Sequence, residues 1–320
     1  MKTLVVAAGI VAGLAFGAPV MAQTKPTVAV IVKDTTSPFW QTVLAGARKA
    51  GQDLGGDVVE LGAQSEADAS AQIGILEKAA AANPAAIVIA PAQSAALGKA
   101  IDEAAKKTKI IGIESAADAK AMTSLLATDN VKAGRVAGDA LAAAITKTYG
   151  DTEGNIVIIT AMPGVAALDQ RAKGFKEALA TKYRALAIVA DKVADGKPAT
   201  VLNTMHDLIA NTADLRGVFV SDPMMTQAVA QAVAEGKSGD KINIVGVGSD
   251  EKLVKFLQSD TIAGLVVEDP FRMGYDGVKA ALAAAKGEQV AAAVDTGATL
   301  VTKANMSSAR SQELLNPKLK

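Results

Sequence analysis

The sequence contains no cysteine and a single histidine, His206. Without cysteine there are no thiol nucleophiles, disulfides, iron–sulfur clusters or Cys-based zinc sites. With one histidine there is no site that needs two, HExxH included. An excess of one charge is also missing, since 33 Lys+Arg balance 33 Asp+Glu. The electrostatic footprint of a nucleic-acid binder is therefore absent. Aromatics are scarce, with six Phe, three Tyr and one Trp. Long apolar runs are confined to the N-terminus, where Lys2 precedes an uncharged stretch from Leu4 to Met21 that ends in Val20-Met21-Ala22. This reads as a secretory signal peptide over 1–22, cut after Ala22, with an uncleaved anchor as the alternative. The mature chain is expected to be soluble and exported, periplasmic if the source is a diderm bacterium.

What is present is a chain of 320 residues, half of them hydrophobic. At about 100 to 200 residues per domain, this length suggests two domains. From Thr27 onward, short β-branched runs alternate with longer alanine-rich amphipathic ones, which predicts parallel sheets with crossover helices. Strands are predicted at 27–32, 58–61, 86–90, 109–113, 124–127, 155–160, 186–190, 217–220, 242–247 and 262–267. Most are continuous apolar runs, as strands covered on both faces require. The first helix shows an N-cap at Ser37 and Pro38 at its first position, with a stop expected at Gly51 or at Gly55-Gly56. In such sheets ligands bind beyond the carboxyl ends of the strands, so the residues just after each strand are the informative ones.

Catalytic and cofactor motifs fail when tested. Gly246-Val247-Gly248 follows a strand, but the third glycine of a dinucleotide fingerprint would fall at Glu251. Gly236-Lys237-Ser238 resembles the end of a P-loop, yet its first glycine position is Gln231 and it closes a helix rather than a strand. His206 lies inside the predicted helix 198–211, where a surface or packing role suits it. No nucleophile–base pair is defensible, so no enzyme activity, cofactor or metal site is expected.

Several short motifs occur in a fixed order: Ser37-Pro38-Phe39-Trp40, Ala90-Pro91-Ala92-Gln93-Ser94, Thr128-Asp129-Asn130 with Gly134, Arg171-Ala172-Lys173-Gly174-Phe175, Val229-Ala230-Gln231-Ala232-Val233 and Val245-Gly246-Val247-Gly248. Together they resemble the periplasmic solute-binding proteins of ABC importers for ribose, allose and related sugars, over nearly the whole mature chain. The resemblance implies an α/β fold of two Rossmann-like lobes with parallel sheets. Three crossings near Thr128, Glu268 and 293–299 would join the lobes and act as the hinge. The lobes would be 24–128 plus 269–295 and 129–268 plus 296–320. It further implies capture of one small ligand, presentation of the closed form to a membrane permease, and a monomer.

Carried over by position, Phe39 and Trp40 match the family's stacking aromatics, with Phe39 capping the lobe core and Trp40 alone reaching the cleft as the alternative, and Lys33 matches a polar site position. Elsewhere the chain departs from the pattern. Glu114-Ser115 stands where the family has Asp-Arg, Asp169 where it commonly has a second arginine, Asp222-Pro223 in place of Asn-Asp, and Glu268 in place of Gln. The expected ligand-binding set is thus Lys33, Phe39, Trp40, Glu114, Ser115, Asp169, Asp222 and Glu268. Four carboxylates with Lys33 as the only evident cation would need compensation, since two like charges about 5 Å apart repel by roughly 3 kcal/mol at an effective dielectric of 20. An amine-bearing polyol or amino sugar would supply it, and Trp40 accepts an ammonium on its face as well as a sugar ring. A neutral monosaccharide or polyol is the alternative. An exported carboxylate-based hydrolase and a chemoreceptor-linked sensor stand further off.

Overall fold

The computed structural model describes residues 25–236 and 241–316. The expected signal peptide over 1–22 lies outside the described residues, as do residues 237 and 238 of the P-loop-like turn.

The first sheet is built from β1 (Thr27–Asp34), β2 (Asp57–Ala63), β3 (Ala86–Ile89), β4 (Lys109–Ile113) and β5 (Ser124–Ala127). They alternate with α1 (Pro38–Leu54), α2 (Ala69–Ala81) and α3 (Ser94–Ala105). The chain then crosses to α4 (Asn130–Tyr149), β6 (Gly154–Thr160), α5 (Ala166–Lys182), β7 (Leu186–Val193), α6 (Pro198–Asn211), β8 (Leu215–Val220), α7 (Pro223–Glu235), β9 (Asn243–Val247), α8 (Glu251–Gln258) and β10 (Gly264–Glu268). It returns as α9 (Pro270–Ala285) and β11 (Ala293–Asp295), and crosses once more to β12 (Ala298–Val301) and α10 (Ala309–Leu315). The sheets run β11-β5-β4-β3-β1-β2 and β12-β10-β9-β8-β6-β7, all parallel except for antiparallel β12. Each is six-stranded, which makes the fold two α/β lobes with mostly parallel sheets.

The predicted strands appear with ends moved by a few residues. β11 and β12 are not among them, because AVD and ATLV are exposed or half-buried apart from Val301 and form no continuous apolar run. The first helix passes through Gly51, which is buried with Gly56 O 2.9 Å from where a Cβ would sit, and ends at Gly55 in the left-handed conformation at φ 73°. Gly51 serves close packing and Gly55 the stop.

The crossings are tied to one another. Thr128 Oγ1 donates to Gly297 O at 3.2 Å, and Asp295 Oδ1 accepts from Asp129 N at 3.1 Å and from Gly297 N at 2.8 Å. Arg310 of α10 holds Asp269 at 2.8 Å. The lobes also meet away from the crossings, where Ser94 N donates to Gly164 O at 3.0 Å and Ala167 N to Ser115 Oγ at 3.2 Å. This is a closed arrangement.

Candidate functional site

Between the lobes lies a cavity of about 100 Å³, walled by residues at the carboxyl ends of strands from both sheets. That is the order of an engineered apolar cavity of about 150 Å³ that admits benzene, so it suits one small ring. A larger open groove of about 1010 Å³ borders Phe271, Arg272 and Arg310, lined by α9, α10 and Thr42 of α1.

From the first lobe, the N-terminal turn of α1 presents the aromatics. Ser37 caps that helix through Trp40 N and Pro38 begins it, which fixes Phe39 and Trp40 just beyond β1. Their rings meet edge to face at 4.8 Å. Trp40 is 2% exposed and packs into the lobe core, whereas Phe39 is half-buried; both line the cavity. Lys33 Nζ lies 5.5 Å from the Trp40 ring centroid and 2.5 Å from Glu114 Oε2, in a pair that is almost wholly buried. Glu114 has φ 63°, a left-handed backbone that costs a non-glycine residue about 1–3 kcal/mol. This turn follows β4 and aims the carboxylate at Lys33.

From the second lobe comes Arg171, buried in α5. Its Nε donates to Asn130 Oδ1 at 2.7 Å and its Nη1 to Ser221 O at 3.0 Å. Its Nη2 stands 2.6 Å from Glu268 Oε1 and 3.5 Å from Glu114 Oε1 across the cleft. These charges touch without alignment, for Arg171 Nη2 and Glu268 Oε1 have no hydrogen-bond partner among the described residues. Asp222 caps α7, accepting from Met225 N at 3.0 Å, and Asp250 caps α8, so both acids reach the cavity because their helices begin there. Met162, Val165 and Leu168 supply an apolar surface.

Lys33, Phe39, Trp40, Glu114, Asp222 and Glu268 of the expected set line the cavity. Asp169 does not. Helix α5 turns Leu168, Arg171, Ala172 and Phe175 inward, and Asp169, about 100° further round than Leu168, is exposed. Ser115 is buried beside the cavity but spends its hydroxyl on Ala167 N between the lobes. Lys33 is not the only cation, because Arg171 is a second; its place on the buried stripe of its helix was the signal available in the sequence. Glu66, in the loop between β2 and α2, was also unforeseen: its Oε1 accepts from Trp40 Nε1 at 2.6 Å. His206 is exposed near Glu235, far from this chemistry.

Burial sets the electrostatics. It pushes the Glu66 carboxyl up to about 8 against the pull of Lys33, with Asp222 and Glu114 adding to the rise. Asp222 is also raised by burial, opposed by the Met225 N–H and then Arg171. Glu268 is raised by burial, opposed by Arg171 and assisted by Glu114. The arrangement can therefore present an aromatic face, two fixed cations and carboxyls able to hold protons around one small ring.

A family model described as a periplasmic binding protein domain matches residues 28–289. Among curated proteins, the ribose import binding protein RbsB of Haemophilus influenzae is 27% identical over 304 residues, covering 94% of this chain and 99% of that protein. The D-allose-binding periplasmic protein of Escherichia coli is 25% identical over 270 residues, covering 82% and 85%. A solved carbohydrate transporter solute-binding protein from Agrobacterium radiobacter, in complex with D-arabinose, has 57% identity and a TM-score of 0.90, covering 92% of this chain and 100% of that one. An ABC transporter solute-binding protein from Agrobacterium vitis with bound D-fucose has 30% identity and a TM-score of 0.84, covering 90% and 99%. These relatives are transport binding proteins, not enzymes. With most of its length matched by that family and both lobes superposing on it, the chain belongs to the periplasmic binding proteins, among those of ribose and allose type.

Proposed function

We propose that this protein is the exported solute-binding subunit of an ABC importer, and that it captures one neutral monosaccharide of pentose or hexose size between its lobes. The observation that carries the reading is the meeting, in one small cavity, of the Phe39–Trp40 aromatic pair from one lobe with the polar wall of Arg171, Asp222 and Glu268 from the other. A sugar ring offers an apolar C–H face to the aromatic pair and hydroxyls that both donate to the carboxyls and accept from the cations of the opposite wall. The relative at 57% identity, solved with D-arabinose, supports this ligand class.

Lys33, Phe39, Trp40, Glu66, Glu114, Arg171, Asp222 and Glu268 are the proposed contacts. Binding favours closure because only the closed form gives the ligand both walls. The lobes are proposed as 24–128 plus 269–295 and 129–268 plus 296–320, a division supported by the membership of the two sheets. Export rests on the signal peptide read at 1–22, presentation to a permease on the family, and the monomer on resemblance.

An amine-bearing polyol or amino sugar is the second reading, favoured by Glu66, Asp222 and Asp250, which lie beyond the Lys33–Glu114 and Arg171–Glu268 pairs. A thermal-shift panel on refolded, ligand-free protein separates the two. It sets D-arabinose, D-ribose, D-fucose, glucose and galactose against glucosamine and galactosamine. A ligand at 100 times its Kd adds about 2.7 kcal/mol to stability. Shifts with neutral sugars support the first reading, shifts confined to amines support the second, and no shift with any sugar removes both.

A further inference from the structure

The cavity holds more carboxyl groups than its cations neutralise, and among them Glu66 is held by a single side-chain hydrogen bond. Glu66 Oε1 accepts the indole N–H of Trp40, while no described residue hydrogen-bonds Oε2. Around it stand Lys33 at the end of β1, Glu114 after β4 and Asp222 at the start of α7. Arg171 of α5, Asp250 of α8 and Glu268 of β10 complete the charged wall. Both cations are already engaged, Lys33 with Glu114 and Arg171 with Glu268 and Glu114.

Glu66 follows a strand of the first sheet and Asp222 a strand of the second, so lobe closure is the event that brings these two acids to one cavity. Their repulsion is relieved if one takes a proton, and burial acts in the same direction. Since Trp40 occupies Oε1, a proton on Glu66 resides on Oε2, which turns that oxygen from an acceptor into a donor.

Given a neutral monosaccharide as the ligand, the reading on which this step rests, we propose that Glu66 meets the sugar as a neutral carboxylic acid, donating from Oε2 to a ligand oxygen. Closure of the lobes therefore takes up a proton. The side chain then sets specificity, favouring a neutral ligand oxygen where an ionised acid would favour an ammonium. The direction of the linkage follows from the closed form holding the proton more tightly than the open, hydrated form. Affinity is greatest at acid pH and is lost as pH rises through about 8.

The test is isothermal calorimetry with D-arabinose, or with the tightest neutral sugar of the panel. It is run from pH 6 to 8.5, and at pH 7 in two buffers of different ionisation heat. The expected result is a Kd that rises about tenfold or more over that range, with about half to one proton taken up per sugar bound at pH 7. E66Q keeps a donor and an acceptor but cannot ionise, and should flatten the dependence to under about threefold; E66A should bind at least about tenfold more weakly than E66Q. A wild-type Kd that is flat or tightens with rising pH overturns the proposal, as does a wild-type slope persisting in E66Q, which would assign the proton to Asp222 or Glu268. The buffer comparison needs no variant, so an absence of proton uptake overturns the proposal even if E66Q does not fold, and E66A then serves as the variant that removes the titrating group. If no neutral sugar binds, the functional reading fails and this inference with it; if one binds without proton uptake, only this inference fails.

Discussion

In the first lobe α1 crosses α9 at Gly46 and Gly274, where an added Cβ would lie 2.0 Å from Phe271 O and 1.9 Å from Val43 O. In the second, α4 crosses α5 at Gly134 and Gly174, with the matching distances 2.0 Å to Arg171 O and 1.9 Å to Val131 O. The two contacts are nearly the same object, a pair of glycines that lets two helix backbones touch. What they deliver to the cleft is different. The first sets α1 so that its opening turn offers the aromatic platform of Phe39 and Trp40. The second sets Asn130, at the start of α4, against Arg171 and so holds a guanidinium immobile inside the protein. One plan thus yields a wall for an apolar ring face and a wall for hydroxyls, because the side chains that the paired glycines position have changed.

The comparison breaks hardest at Arg171. R171M leaves Glu268 buried and uncompensated, and we expect a loss of about 3–5 kcal/mol in urea denaturation. The double variant R171M/E268Q should recover part of it. If R171M costs nothing, the guanidinium does not hold that wall.

The glycine crossings come next. G46A and G134A should each cost about 1–3 kcal/mol, since a backbone carbonyl must move. Both should also weaken sugar binding, G134A through displacement of Arg171 and G46A through displacement of the Phe39–Trp40 platform, so an unchanged affinity in either variant would detach that crossing from its wall of the site.

At the seam between lobes, S115A strands the Ala167 N–H when they close and should cost about 1 kcal/mol of closure. Small-angle scattering with and without sugar reads this as a larger open fraction at a given sugar concentration. Smallest of all is D169N, on the solvent side of α5, which should leave affinity unchanged and stability within about 0.5 kcal/mol. A marked loss of binding would return Asp169 to the site.

Much of this fold is readable from one sequence because parallel strands buried on both faces are uninterrupted apolar runs, TVAVIV and NIVIIT being clear cases. β11 and β12 are not readable by pattern, since AVD and ATLV form no continuous apolar run; only the family resemblance places crossings there. At the site, Lys33, Trp40 and Glu114 are legible because they lie at or just beyond the carboxyl ends of strands. Asp169 is misplaced when its position is taken from a family motif instead of from helical phase. The phase of Leu168, Arg171, Ala172 and Phe175 puts the arginine inside and the aspartate outside. Glu66 lies in a polar loop with no spacing to mark it, and becomes meaningful only when the Trp40 indole is seen to reach it.

The alternation of strands and helices, and the family that the ordered motifs resemble, are written in the linear chain. They are local matters of hydrophobic runs, caps and short motifs, whereas the glycine pairs that let helices touch meet only in the fold. Which charges become neighbours is settled only when the chain folds. Lys33 and Glu114 are 81 residues apart and Arg171 and Glu268 are farther still, and whether a buried carboxyl keeps its proton depends on separations of a few ångströms that closure of the two lobes creates.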